Sequence, residues 1–429
     1  MNRTNEINTF VVAGFAERLA DLLEQKTISQ SQLATRLAVS RSTVTGWLRY
    51  GKLPDGGLLA KLADELGVSA DWLLGLRPQT EQQNPSGNIQ WRESIPAYIP
   101  DSHRQALTTG IEIFRRFVVE NQSAFEVRNA YHSQLIRAAL QSVFRSGAVQ
   151  LTRVGQDETM EAELKRRYPS LKNCVVAAVP ENYDDTLIRA ELVAFLAAQM
   201  VLSGVLHQNA IGLGSGYTLA RMCEQSIPNG TQFVGTYWIP LLAFARPELS
   251  LYTANDLARL MAMRHPGSRA LYLPHPDECV NDGMKAAHQE AMRMMSNLQT
   301  IFVSASGVDR RERYGDAHFF AEFRSADYEL EAPDLRLEYA QLADKRAFGG
   351  ELLRYLIDER GEMVGRDPDV GSQIDLEILR HISDRVGTVC LVAASAYKAR
   401  AVYTCLKNRL VNALVIDSEI AAYILAQPV

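Results

Sequence analysis

The chain has 429 residues, 47% of them apolar and 22% charged, with a formal net charge of −5. This length exceeds what one core accommodates and implies two or three domains of ordinary globular composition. A uniformly basic nucleic-acid-coating protein is excluded, so any contact with nucleic acid must come from a local patch.

In chain order, FAERLADLL from Phe15 reads as a first amphipathic helix. SQSQLATRLAVSRSTVTGWL (Ser29–Leu48) comes next and is the most informative stretch of the chain. Leu33, Ala34 and Leu37 share one helical face, Val39–Ser40 breaks the pattern, and Val44, Trp47 and Leu48 begin a second face. Two short helices across a tight turn make a helix-turn-helix. Ser29 and Ser40 are good N-caps, while Gly51 and Pro54 end the second helix. Its outer side offers Arg41, Ser42, Thr43 and Thr45, donors suited to base edges and phosphates in a major groove. Leu58–Leu66 reads as a fourth helix and Ala70–Gly75 as a fifth. Leu19, Leu33, Leu37, Val44, Leu59 and Leu66 form the expected core, and Trp47 belongs with it.

The spacing of Ser29-Gln30, Leu33-Ala34, Val39–Val44, Trp47, Gly51-Lys52, Pro54, Leu62-Ala63, Leu66–Val68 and Asp71–Leu73 resembles the lambda-repressor-like (XRE or Cro) family. The resemblance implies phosphate contacts from Gln30, Ser40 and Lys52, and base contacts from Arg41, Ser42 and Thr45. Gly46 stands where that family often has a contacting side chain. A protein-binding helical domain without DNA contact is the alternative.

Residues 78–103, rich in Pro, Gln, Ser and Gly in their first part, read as a flexible linker joining a 1–77 domain to the rest of the chain. Helical pattern resumes near Arg104 and runs, with a break near Gln122-Ser123, to about Arg145. Residues 104–152 resemble the winged helix-turn-helix that opens SorC-type regulators. Three roles stay open: a dimerisation or signal-transmission helix pair, a decayed DNA module, or a second reader using Arg128, Gln134 and Arg137.

From 153 to 429, strand-like runs alternate with helices. Cys174–Val179, Ala210–Leu213, Gln232–Trp238, Thr300–Val303, Thr388–Ala393 and Ala413–Asp417 read as buried strands. Leu187–Leu202, Tyr217–Gln225, Ala254–Arg264, Asp282–Met295, Leu376–His381 and Tyr397–Lys407 read as helices. The alternation predicts an α/β domain with a mainly parallel sheet, whose ligands sit beyond the carboxyl ends of strands. The richest such loop is Gly212-Leu-Gly-Ser-Gly-Tyr-Thr218, between a strand and a helix. Bare backbone at Gly214 and Gly216, a helix N-terminus, and hydroxyls from Ser215 and Thr218 suit an anion; tight packing is the plain alternative. It is not a Walker loop, since no Gly-Lys-Ser/Thr comes after it. Ser304–Asp309, with Ser306 and Gly307, is a second small-residue loop.

Together with FGGEL (Phe348–Leu352), LIDERG (Leu356–Gly361) and the closing run from Val392 to Asp417, these loops resemble the effector-binding domain of SorC/DeoR-type sugar-responsive regulators. That family's fold is Rossmann-like and shared with sugar-phosphate isomerases and CoA transferases. By the resemblance, Ser215, Gly216, Tyr217 and Thr218 cradle a phosphate, Glu351 accepts sugar hydroxyls, and Lys398 lies beside the phosphate. Three departures stand out. Ala394-Ser395 replaces two glycines, Asp309-Arg310-Arg311 replaces a Gly-rich loop, and Tyr217 is larger than usual.

The fold expected is therefore multidomain: an all-α helix-turn-helix domain followed by an α/β Rossmann-like domain. The function expected is regulation of transcription, with operator DNA binding controlled by a small phosphorylated sugar or related metabolite. Paired recognition helices imply a homodimer, and the resemblance a homotetramer. An isomerase-like enzyme with a DNA-binding appendage is the alternative, with Glu351 and Lys398 as its acid–base groups; a DNA-bound scaffold with a vestigial pocket is a third. Five dispersed cysteines (Cys174, Cys223, Cys279, Cys390, Cys405) without C-x-x-C suggest buried thiols in a reducing cytoplasm. No signal peptide, membrane span, metal or cofactor is expected.

Overall fold

The computed structural model describes residues 15–16, 18–20, 22–23, 28–50, 52–66, 73, 82–83, 87–95, 99–120, 122, 124–179, 186–203, 209–226, 233–244, 252–306, 348–366, 370–385 and 387–428. Contacts divide the chain into two units. One holds Met1–Asn84, Gln90–Glu112 and Gln141–Thr152; the other holds Pro85–Ile89, Ile113–Leu140 and Arg153–Val429.

In the first unit, α1 (Gln30–Arg36) and α2 (Arg41–Tyr50) flank the expected turn, and α3 (Gly56–Glu65) comes after them. Ser29 starts α1 with a capping box: its hydroxyl accepts the Gln32 N–H, and the Gln32 side chain accepts the Ser29 N–H. Ala38 sits at φ +56 in the turn, where the chain reverses between the helices. The Ser40 hydroxyl accepts the Thr43 N–H at 3.1 Å and so caps α2. Phe15, Leu19, Leu33, Leu37, Val44, Trp47, Leu62, Leu66 and Leu73 form the core, with Leu59 only partly buried against it. Trp47 is thus a core residue. Within the stretch expected as linker, β1 (Gln82–Gln83) pairs antiparallel with β2 (Ile89–Glu93), and β2 neighbours β3 (Val149–Val154).

The stretch after it is helical: α4 (Asp101–Val118), α5 (Ala124–Ala130) and α6 (Ser133–Ser146). The chain breaks twice rather than once, because Tyr131–His132 separates α5 from α6 in addition to the break at 119–123.

The second unit is α/β. Its central sheet has seven parallel strands in the order β4 (Asn173–Ala177), β16 (Ala413–Asp417), β15 (Thr388–Ala393), β9 (Thr300–Val303), β5 (Ala210–Leu213), β6 (Tyr237–Pro240), β8 (Arg269–Ala270). After β5 the chain passes through α9 (Tyr217–Gln225) and moves outward to β6 and β8. From β9 it moves the opposite way, to β15, α13 (Ala399–Lys407) and β16. The order therefore reverses between neighbours β5 and β9, the place where such sheets open a crevice at their carboxyl ends. The inner strands β9, β15 and β16 are buried along nearly their whole length and mostly apolar, as strands covered on both faces must be.

A second, antiparallel sheet runs β10 (Ala305–Ser306), β11 (Phe348–Leu352), β12 (Tyr355–Asp358), β13 (Met363–Arg366). A further pair joins β7 (Leu242–Phe244) to β14 (Val370–Gln373). These short strands are absent from the sequence reading. Flanking helices include α7 (Glu158–Arg167), α8 (Thr186–Leu202), α10 (Ala254–Arg264), α11 (Asp282–Met295), α12 (Leu376–Asp384) and α14 (Ser418–Ala426). No helix among the described residues is long and apolar enough to cross a membrane.

Candidate functional site

On the helix-turn-helix, Gln30, Ser40, Arg41, Ser42 and Lys52 are exposed, and Thr43 and Thr45 are half-buried. Hydroxyls gather at the start of α2: Ser40 Oγ lies 2.7 Å from Ser42 Oγ and 2.8 Å from Thr43 Oγ1. The Thr45 hydroxyl has two acceptors in reach, Arg41 O at 3.0 Å in its own helix and Gln30 Oε1 at 3.2 Å on the preceding one. Gly46 is buried, and the Lys52 chain lies 3.8 Å from where its Cβ would be. A lysine stem therefore covers the helix where a side chain is missing. In the segment with three open roles, Arg128 is exposed; the side chains of Gln134 and Arg137 lie outside the described residues.

The second candidate is the loop after β5. Its glycines have separate reasons. A Cβ on Gly212 would stand 2.8 Å from both Leu241 and Leu298, and one on Gly214 would stand 2.9 Å from Leu353. These two are glycines because neighbours press on them. Gly216, at φ +122, is the N-cap of α9, a conformation that strains residues with a Cβ. Among the described residues, only Ser304 Cβ comes within reach of its Cβ position, at 4.0 Å.

Not all the loop amides are available. The Gly214 N–H donates to Phe302 O at 2.9 Å and the Gly216 N–H to Tyr252 O at 3.3 Å. An anion must rely instead on Ser215 and the first turn of α9, whose amides have no acceptor within the helix. Gly214 and Thr218 are buried, while Ser215, Gly216 and Tyr217 are half-buried.

Tyr217 is built into the scaffold. Its phenol donates to Glu191 Oε1 at 2.8 Å, and its ring meets Tyr252 edge-on at 5.8 Å. Glu191, fully buried on α8, also accepts from Arg221 Nε at 2.6 Å and Gln225 Nε2 at 2.9 Å. Charged hydrogen bonds in such surroundings fix geometry closely.

Ser306 and Glu351 face each other across β10 and β11. Glu351 carries Arg354 at 3.6 Å. It stands in strand β11. The turn Ala396–Lys398 lies beside β10, and Lys398 Nζ sits 5.5 Å from the Tyr397 ring. That turn hangs on two carboxylates, one buried and one partly exposed: the Ser395 N–H donates to Asp417 at 2.6 Å and the Ala396 N–H to Glu419 at 3.2 Å. Arg189, fully buried, lies 3.6 Å from Asp417 and 3.0 Å from Glu419. Ser395 stands at φ +82, which explains why the resembling family favours glycine there. Gly307 and Asp309–Arg311 lie outside the described residues.

Three residues at or beside the loop contacts were not among the sequence candidates: Ser304 and Leu353, which meet Gly216 and Gly214, and Arg354, which comes next after Leu353. Ser304 had a signal, being the first residue after a strand. The other two had none, since their place depends on a turn linking strands that the sequence reading lacks. Among the described residues no group of three or more His, Cys, Asp or Glu could hold a metal.

Residues 19–73 match the family described as "Helix-turn-helix", and residues 152–312 match the one described as "Putative sugar-binding domain". The chain joins a helix-turn-helix domain to a sugar-binding domain. Among solved structures, the helix-turn-helix/sugar-binding chain is similar to the full-length sorbitol operon regulator SorC from Klebsiella pneumoniae, at 17% identity and TM-score 0.48, covering 75% of this chain and 99% of that one. It is similar to the probable sor operon regulator from Shigella flexneri at 16% identity and TM-score 0.48, covering 63% and 99%. A DeoR family transcriptional regulator from Listeria monocytogenes matches at 15% and 0.45, covering 62% and 98%. Each of the three is named as a regulator. No curated protein matches in sequence. At such identities the two domain matches, rather than the structural likeness, carry the assignment.

Proposed function

We propose that this protein is a transcription regulator whose binding to operator DNA is set by a small phosphorylated sugar or related metabolite. The observation that carries this reading is the presence of both domain matches in one chain. In it, Arg41, Ser42, Thr43 and Thr45 meet base edges, and Gln30, Ser40 and Lys52 meet phosphates. The 1–77 segment is the DNA-binding domain, and 153–429 the effector domain. Ser215, Gly216, Tyr217 and Thr218, with Gly214 behind them, take the anion at the reversal point of the sheet. Ser306, Gly307, Glu351 and Lys398 take the remainder of the ligand. The protein acts in the cytoplasm as a homodimer or homotetramer, because one short recognition helix gives little specificity. Regulation results only if the ligand prefers one arrangement of the assembly over another.

The test begins with selection of bound duplexes from a random pool by the full-length protein. Affinity for the selected DNA is then measured with and without a panel of sugar phosphates and the matching free sugars. A shift with a phosphorylated compound is the expected result. Tight DNA binding that no compound alters, together with no ligand-induced rise in melting temperature, overturns the effector half of the reading.

A further inference from the structure

The hairpin joining β11 to β12 has a two-residue turn, Leu353-Arg354, between the paired residues Leu352 and Tyr355. Both turn residues are left-handed, at φ +51 for Leu353 and +68 for Arg354. Tight hairpins of this kind normally place Asn, Asp or Gly there, because a Cβ is crowded in that conformation. Leu353 has a compensating contact: it is buried and packs on Gly214, its Cδ2 2.9 Å from where a Cβ would lie. Arg354 gains little by burial, with 39% of its side chain exposed. Its guanidinium pairs with Glu351 at 3.6 Å and lies 5.5 Å from the Phe244 ring centroid.

Neighbouring contacts close into a ring. Gly214 meets Leu353; the next residue, Arg354, meets Glu351; Glu351 faces Ser306; Ser304, two residues before it, faces Gly216. Leu353 thus sets the hairpin turn against the β5 loop, and Arg354, the next residue, is the cationic member of that turn. Strained backbone of this kind is found at ligand clamps and switches.

We infer that Arg354 is an effector-contacting residue, kept in a strained turn so that its guanidinium reaches the phosphate-like oxyanion held by the Gly214–Thr218 loop. A forked guanidinium suits such a group, and a swing away from Glu351 frees it for two parallel hydrogen bonds. This rests on the anion-binding reading of the loop given above.

The experiment uses full-length wild type, Arg354→Gly, Arg354→Lys and Ser215→Ala. Each is titrated with inorganic phosphate, read by melting temperature and calorimetry, against sodium chloride of matched ionic strength. Inorganic phosphate has no hydroxyl-bearing carbon for Glu351, so a loss of affinity reports contact with the anion itself. Wild type is expected to bind saturably, with Arg354→Gly weakened about tenfold or more and Arg354→Lys falling between. Without ligand, Arg354→Gly is expected to melt within about 2 °C of wild type or above it, since relief of strain offsets the lost ion pair. Equal phosphate affinity in Arg354→Gly overturns the inference and leaves the loop standing if Ser215→Ala is weakened. A ligand-free melting point lowered by about 5 °C or more shows a structural arginine and overturns it too. No phosphate binding by wild type removes the anion-binding loop itself, and the inference with it.

Discussion

Replacing Glu191 with alanine tests whether the fully buried carboxylate on α8 holds the loop helix in place. The side chain accepts three hydrogen bonds, from Tyr217, Arg221 and Gln225, at 2.8, 2.6 and 2.9 Å. Removing one member of a buried ion pair destabilises by about 3–5 kcal/mol, chiefly because the other charge is left behind. Arg221 keeps Glu224 as a second, less buried partner, so the lower end, about 3 kcal/mol, applies. For a domain of this size that lowers the melting temperature by about 6–12 °C. Tyr217→Phe alone removes one hydrogen bond to a charged acceptor, worth about 1.5–3 kcal/mol. Urea unfolding of both single variants and the double variant gives the coupling, expected at about 1 kcal/mol or more. Glu191→Ala within about 1 kcal/mol of wild type, or additive losses in the double variant, refutes the idea that Glu191 fixes Tyr217 and the start of α9.

Other expectations rest on single groups. His265 is buried against Phe233 and Trp238, and burial, with Arg264 beside it, pushes its pKa down to about 4. The unfolded chain takes up that proton near pH 6.5 and the folded one only near 4. Stability should therefore fall by up to about 3 kcal/mol as pH drops through this window. His265→Phe should flatten the difference in urea titrations, and an unchanged pH slope speaks against a neutral buried imidazole. Ser395→Gly keeps the N–H that Asp417 accepts but relieves φ +82, so a gain of up to about 1 kcal/mol is expected in thermal melts; a loss shows that the hydroxyl contributes. Cys174, Cys223, Cys390 and Cys405 are buried, and burial pushes the thiols of the first two and the last up to about 12. Only Cys279 should react with iodoacetamide in the native protein, read by peptide mass mapping, and early labelling at any buried thiol contradicts the packing described.

Five of the seven parallel strands were legible because both faces are covered, which demands apolar runs such as VCLVA from Val389; β6 lies at Tyr237–Pro240 rather than at the expected 232–238, and β8 is only two residues long. The recognition helix was legible because helical spacing and Ser40 mark its start and its buried side. The antiparallel strands were not, since two to five residues such as Ala305–Ser306 or Met363–Arg366 show no periodicity. The role of the loop glycines was only half legible. Sequence points to three small residues before a helix, but neighbours distant in the chain decide which are crowded and which are twisted. Arg354 left no trace at all, because a left-handed arginine is visible only in the backbone angles.

The β5 loop is fastened before any ligand arrives, with Gly214 moored to the end of β9 and Gly216 to Tyr252. In the regulator proposed above, a receptor mouth already held in shape would lose little freedom on capture, so association should be quick and the strand ends should barely stir. On that proposal, motion passed onward to the duplex-gripping end would have to originate in some looser element that the guest touches, and not in the clasp that first receives it.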